Sequence, residues 1–242
     1  MDFAEALAIF AFVAAASATQ ALSGFGFSLL LVPPLALVLG PREAVVLANL
    51  LGPGMNGIMV WRLWHAVRWR TSAVLLGAAA AGMPVGLLVL LVVDARPMRV
   101  VIAVTVLVST FALWRGFAIR GRSLAGDLAA GFTSGVLNTS TSMSGPPVVL
   151  YLQGRGLPPD EFRATLAGFF LASSFVAVTL FVIGGQIHAH TFAQVAVAAA
   201  GLVAGYAVGA KIYRRIPVTH FRGIVMLVLV ASALLSLATA LL

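Results

Sequence analysis

Five hydroxyl side chains, Thr139, Ser140, Thr141, Ser142 and Ser144, follow Asn138 in a run that ends Gly145-Pro146-Pro147. Hydroxyls and carboxamides donate hydrogen bonds without carrying charge, so this set suits holding the oxygens of an anion. It does not suit covalent catalysis. The chain has no cysteine, and no histidine or carboxylate neighbours these hydroxyls to activate one of them. A second group, Ser23, Gly24, Phe25, Gly26 and Ser28, offers two hydroxyls beside two glycines. Glycine, with no Cβ, lets a ligand approach the backbone closely.

Both groups interrupt apolar sequence. Hydrophobic residues make up 61% of the 242 positions, charged residues only 9%, and mean hydropathy is +1.07. A soluble domain carries about 25% charged residues, so the chain reads as an integral, polytopic membrane protein. Hydrocarbon cannot solvate free backbone N–H and C=O groups, so irregular backbone at membrane depth must be buried in protein or line a wet cavity. Each break is therefore expected to split a helix in mid-membrane, as in transporters that bind substrate between half-helices. Pro146 and Pro147 lack N–H donors and suit the first turn of a new helix. A helix starting after each break would aim its free amides and positive dipole end at an anion. The competing reading is that small and hydroxyl residues only pack helices together.

Apolar length and breakers predict an all-α fold of eight membrane segments. The first, about 3–39, and the fifth, 124–152, carry the breaks. The others are expected at about 42–61, 72–93, 98–114, 161–184, 191–210 and 217–241. Residues 6–16 followed by Ala16-Ser17-Ala18 look like a signal peptide, but the leading charges are Asp2 and Glu5. A signal needs a positive n-region, so 3–22 is read as a retained helix.

The halves 1–122 and 123–242 look like copies. Pro33-Pro34 matches Pro146-Pro147, and Glu43 matches Glu161 at the start of the next helix. If both broken segments fold back as hairpins, twelve of the fifteen Lys and Arg residues fall on one side and three on the other. The positive-inside rule favours that arrangement. It makes the halves an inverted repeat with both termini outside.

Other polar residues carry weaker signals. Asn49 and Asn56 share nearly one helix face and either line the cavity or bond between helices. Arg163 and Arg42 could attract an anion at an entrance, and Glu43 and Glu161 could exchange protons. Interfacial arginines also snorkel to water, and acidic residues simply suit helix starts. His188 and His190 have no acidic or cysteine companion in sequence, so no metal site is expected. No cofactor or nucleic-acid partner is expected either, the net charge of +8 being read as cytoplasmic arginines. Trp61, Trp64, Trp69 and Trp114 read as an interfacial belt.

The run Ser142-Met143-Ser144-Gly145-Pro146-Pro147-Val148-Val149-Leu150-Tyr151-Leu152, the Gly24-Phe25-Gly26 break followed by Pro33, and the duplicated plan resemble the sulfite exporter TauE/SafE family. The resemblance spans essentially the whole chain, although Gly24-Phe25-Gly26-Phe27 alternates phenylalanine where many members have consecutive glycines. It implies a permease of the bacterial or archaeal cytoplasmic membrane. Such a permease would move a small anion such as sulfite or an organosulfonate. Separately from the resemblance, a coupling proton or ion is a candidate partner, with Glu43 and Glu161 as the candidates for proton exchange. A passive anion channel and a membrane-embedded accessory subunit or enzyme are the alternatives. No Gly-x-x-x-x-Gly-Lys loop supports nucleotide-driven pumping.

Overall fold

The computed structural model describes residues 2–117 and 123–213, with isolated helical positions 230, 234 and 238. Nine α-helices occupy the described residues: α1 Phe3–Ser23, α2 Phe27–Val38, α3 Pro41–Leu63, α4 Trp69–Val92, α5 Ala95–Trp114, α6 Leu124–Thr141, α7 Gly145–Gln153, α8 Pro159–Ile183 and α9 Ala189–Tyr213. There is no strand among them. Six helices (α1, α3, α4, α5, α8 and α9) are long and apolar enough to cross a membrane. Apart from those three positions, the expected segment 217–241 lies outside the described residues.

The first and fifth segments are each two helices. Gly24 caps α1 at φ 84° and donates its N–H to the Gln20 carbonyl at 2.8 Å, while Gly26 opens α2 at φ 97°. Two left-handed residues flanking Phe25 let the chain double back, a conformation that glycine adopts without a Cβ clash. The second break is shorter than the sequence suggests. Helix α6 continues through Thr141, and only Ser142, Met143 and Ser144 are irregular. Its hydroxyls explain this: Ser140 donates to the Val136 carbonyl at 2.7 Å and Thr141 to that of Leu137 at 2.9 Å, each bonding back along the helix.

The paired prolines also differ. Pro146 and Pro147 stand in the first turn of α7, whereas Pro33 and Pro34 lie inside α2 and withdraw partners from carbonyls one turn earlier. The base of the second hairpin is tied by Arg155, which meets Asp127 at 2.6 Å and the Tyr151 hydroxyl at 2.8 Å. Tyr151 in turn donates to the Ser123 carbonyl at 3.0 Å. Burial pulls the Arg155 guanidinium down, but hydrogen bonds to Tyr151 and Asp127 and the Asp127 charge outweigh it, leaving it above its ordinary value.

Lipid supplies no hydrophobic drive between helices, so small residues that allow close backbone contact set the pairing. Gly201, Gly205 and Gly209 of α9 lie against Phe10, Ala14 and Ala18 of α1, the registers rising together, so these helices run parallel. A Cβ on Gly205 would sit 2.0 Å from the Ala14 carbonyl oxygen. Helices α4 and α6 pair the same way, Gly131 and Gly135 meeting Leu75 and Ala79, and Gly82 and Gly86 meeting Phe132 and Val136. Helices α3 and α8 cross antiparallel, with Gly52 against Ser174 and Gly57 against Leu171. Helix α2 is enclosed within the bundle, with most of its residues buried. Large apolar side chains of the outer helices, such as Leu88, Val108, Phe175 and Val203, face outward.

Candidate functional site

The tips of the two hairpins meet. Ser28 Oγ, in the first turn of α2, lies 3.0 Å from Ser142 Oγ at the end of α6. Around this contact is a cavity of about 50 Å³, several times the roughly 10–15 Å³ that one water centre requires. Its lining joins both breaks to two long helices. Gly26 and Ser28 come from the first break, and Asn138, Ser142, Ser144 and Gly145 from the second. Asn49 and Asn56 face it from α3, with Gly52 between them, and Phe170 and Ser174 from α8. These positions lie near mid-length of both helices.

Two kinds of chemistry line this space. At the hairpin tips the groups are donors. Phe27, Ser28 and Leu29 are the first residues of α2, so their amides precede its hydrogen-bond ladder, and no side chain caps them. Helix α7 also starts without a side-chain cap, and its two prolines leave Gly145 as the free first-turn amide. At the α1–α3 side, carboxamides interlock. Gln20 Nε2 donates to Asn56 Oδ1 at 2.9 Å, and Asn56 Nδ2 to the Gly52 carbonyl at 2.9 Å. Asn49 Nδ2 donates to the Val45 and Asn138 carbonyls at 3.0 and 3.2 Å, joining α3 to the end of α6. No formally charged residue lines the cavity.

Several residues singled out in the sequence lie elsewhere. Thr139, Ser140 and Thr141 are outside the lining, Thr139 donating across to the Met83 carbonyl of α4 at 2.6 Å. Ser23 is the last residue of α1, Gly24 packs against Arg163, and Phe25 packs against the apolar core. Arg163 also donates to the Ala21 carbonyl at 3.3 Å, so it braces the first hairpin's tip from α8. Glu161 pairs with Arg68. Glu43 meets His190 Nε2 at 3.3 Å and Gln194 at 3.3 Å, and Gln194 also reaches Glu5. Neither acid lines the cavity. Glu43 gives the histidine pair an acidic neighbour that sequence spacing did not indicate, yet no three metal-binding side chains converge among the described residues.

Residues 8–236 match the family described as sulfite exporter TauE/SafE. The chain belongs to the TauE/SafE family. It is also similar to a curated protein of Comamonas testosteroni, "Probable inner membrane transporter protein TsaS", with 28% identity over 195 residues that cover 77% of each chain. No solved structure matches it. Family membership makes this TauE/SafE protein a membrane transporter, not an enzyme.

Sequence reasoning missed Gln20, Leu29, Ala48, Gly52, Phe170 and Ser174, all of which line the TauE/SafE cavity. Gln20 carried a usable signal, being a carboxamide inside an otherwise apolar helix where polar groups are costly. Ser174 did not, because a lone serine in a membrane helix commonly bonds its own backbone, as Ser174 does to the Phe170 carbonyl at 2.7 Å. Phe170 is one apolar residue among many in α8.

Proposed function

We propose that this TauE/SafE protein is a secondary transporter that exports a small oxyanion, sulfite or an organosulfonate, bound between the two hairpin tips. The observation carrying this reading is the Ser28–Ser142 contact at 3.0 Å, which joins both breaks at one uncharged, donor-bearing cavity. An anion there would take the free amides of α2 and Gly145 and the serine hydroxyls. Hydrogen bonds to a charged group contribute about 1.5–3 kcal/mol each, so a few such bonds support micromolar affinity without a cationic ligand.

We read residues 1–122 and 123–242 as inverted repeats. Helix exchange supports this: α1 pairs with α9 and α6 with α4, both in parallel, while α3 crosses α8. With both termini outside and twelve basic residues on the cytoplasmic side, the arrangement also satisfies the positive-inside rule. The description of the Comamonas testosteroni relative supports a bacterial inner membrane location.

The test is a thermal-shift screen of purified protein against sulfite, sulfonates and carboxylates, followed by calorimetry on Ser144→Ala and Ser28→Ala. Stabilisation by a sulfur oxyanion, and affinity about ten-fold weaker in each variant, is the expected result. Unchanged affinity in both variants would place the anion elsewhere. Saturable counter-transport in vesicles separates a carrier from a channel.

A further inference from the structure

On the α1–α3 side of the cavity every carboxamide nitrogen already bonds a protein oxygen, while only one of the four carboxamide oxygens, Asn56 Oδ1, accepts a bond from another carboxamide. All four carboxamides give their NH2 groups to protein oxygens: Gln20 to Asn56, Asn56 to Gly52, Asn49 to Val45 and Asn138, and Asn138 to the Ser173 carbonyl at 3.5 Å. Ser174 likewise spends its proton on Phe170. Asn56 Oδ1 accepts from Gln20, which leaves the side-chain oxygens of Gln20, Asn49 and Asn138 as the acceptor ends of groups only 2–3% exposed. Prolines add to this set. Pro53 withdraws the helical partner of the Asn49 carbonyl, and Pro33 that of the Leu29 carbonyl. Asn49 and Leu29 both line the cavity. An oxyanion offers only acceptors, so these oxygens and freed carbonyls have nothing to gain from it.

We propose that the acceptor side of the cavity, built on Gln20, Asn49 and Asn138, binds a sodium ion alongside the anion. This rests on the anion reading of the same cavity. Hard cations take oxygen ligands, and freed helix carbonyls beside a half-helix are a known means of holding a monovalent ion in transporters. A divalent ion would demand carboxylates, and none lines the space. A proton has no titratable side chain there to occupy. The anion supplies the negative charge that the lining lacks, and the cation offsets part of that charge in the same cavity. By linkage each ion must then raise the affinity of the other by the same factor.

Calorimetric titration of the purified full chain with sulfite and sulfoacetate, in sodium and in N-methylglucamine media of equal ionic strength, tests this. Binding in sodium should be tighter by roughly 5–150-fold, the usual range of site–site coupling. The variant Gln20→Met should lose that sodium dependence. Equal affinity in the two media, or an affinity that follows pH and ignores sodium, overturns the cation site and leaves the anion site standing. Absence of binding by either anion in both media overturns both. The wild-type comparison decides the matter even if Gln20→Met does not fold.

Discussion

Replacing Ser142 by glycine separates two roles that this residue combines. Its backbone sits at φ 61° and ψ 9°, the one non-glycine residue at positive φ among those described, and its N–H closes α6 on the Asn138 carbonyl at 2.9 Å. Holding a side chain in that conformation costs about 1–2 kcal/mol relative to glycine. Against this, glycine gives the unfolded chain more freedom, a loss of about 0.4–1 kcal/mol. The vanished hydrogen bond to Ser28 removes about 0.5–1.5 kcal/mol more. The contributions nearly cancel, so Ser142→Gly should melt within about 2–4 °C of wild type, the equivalent of about 1 kcal/mol. Ser142→Ala keeps the strain, loses the bond and should melt lower than either. Both variants lose a hydroxyl donor to the bound anion, about 1.5–3 kcal/mol, and should bind about 10- to 150-fold more weakly. Thermal unfolding in detergent and calorimetry with the best anion of the screen measure the two effects separately. A glycine variant that binds as tightly as wild type refutes the role of Ser142 in the cavity. One that melts below the alanine variant refutes the strain reasoning.

Single cysteines at Ser142 and Ser144 should react with a small hydrophilic thiol reagent and be protected by anion, while cysteines at Thr139 and Thr141, whose hydroxyls bond helix carbonyls, should stay inert. For the same reason Thr141→Val should leave anion affinity unchanged in a calorimetric titration. Gly205→Val would place a Cβ 2.0 Å from the Ala14 carbonyl, and the overpacking should cost on the order of 1–3 kcal/mol, read as a lower melting temperature. Asp127→Ala strips the carboxylate partner from Arg155, only 10% exposed in its side chain; loss of such a partner costs about 3–5 kcal/mol and should loosen the second hairpin, seen as faster proteolysis near Gly154. Reporter fusions at Leu242 and Gly121 should report opposite compartments.

Both breaks were legible because each gathers helix-breaking or hydroxyl residues inside an apolar run, and such a cluster has few other uses at membrane depth. Their extent was not legible. Whether Ser140 and Thr141 face a cavity or bond back to Val136 and Leu137 depends on side-chain rotamers that composition does not encode. The Asn49 and Asn56 face was readable from helical period alone, and Gly52 completes it. Gln20 and Ser174 become cavity residues only through the meeting of α1 with α3 and of α3 with α8, contacts between positions far apart in the chain. The matched prolines show the opposite error. Similar dipeptides stand at different depths in their helices, so sequence correspondence overstated structural correspondence.

Because α1 finds its glycine-faced partner in α9, it must wait for it during synthesis. From Ser23 to Ala189 the ribosome adds 166 residues, which takes roughly ten to thirty seconds at 5–20 residues per second. Through that interval α1 lies in the bilayer with Ser17, whose hydroxyl later bonds the Leu202 carbonyl at 2.8 Å, and with the backbone stripe that Gly201, Gly205 and Gly209 will cover. Helix α6 meets no such delay, since α4 precedes it. The second hairpin can therefore settle as soon as it is made, and the first reaches its final packing only when α9 arrives. Mutations in the α9 glycines should accordingly injure assembly of the newly made protein more than they injure protein already folded.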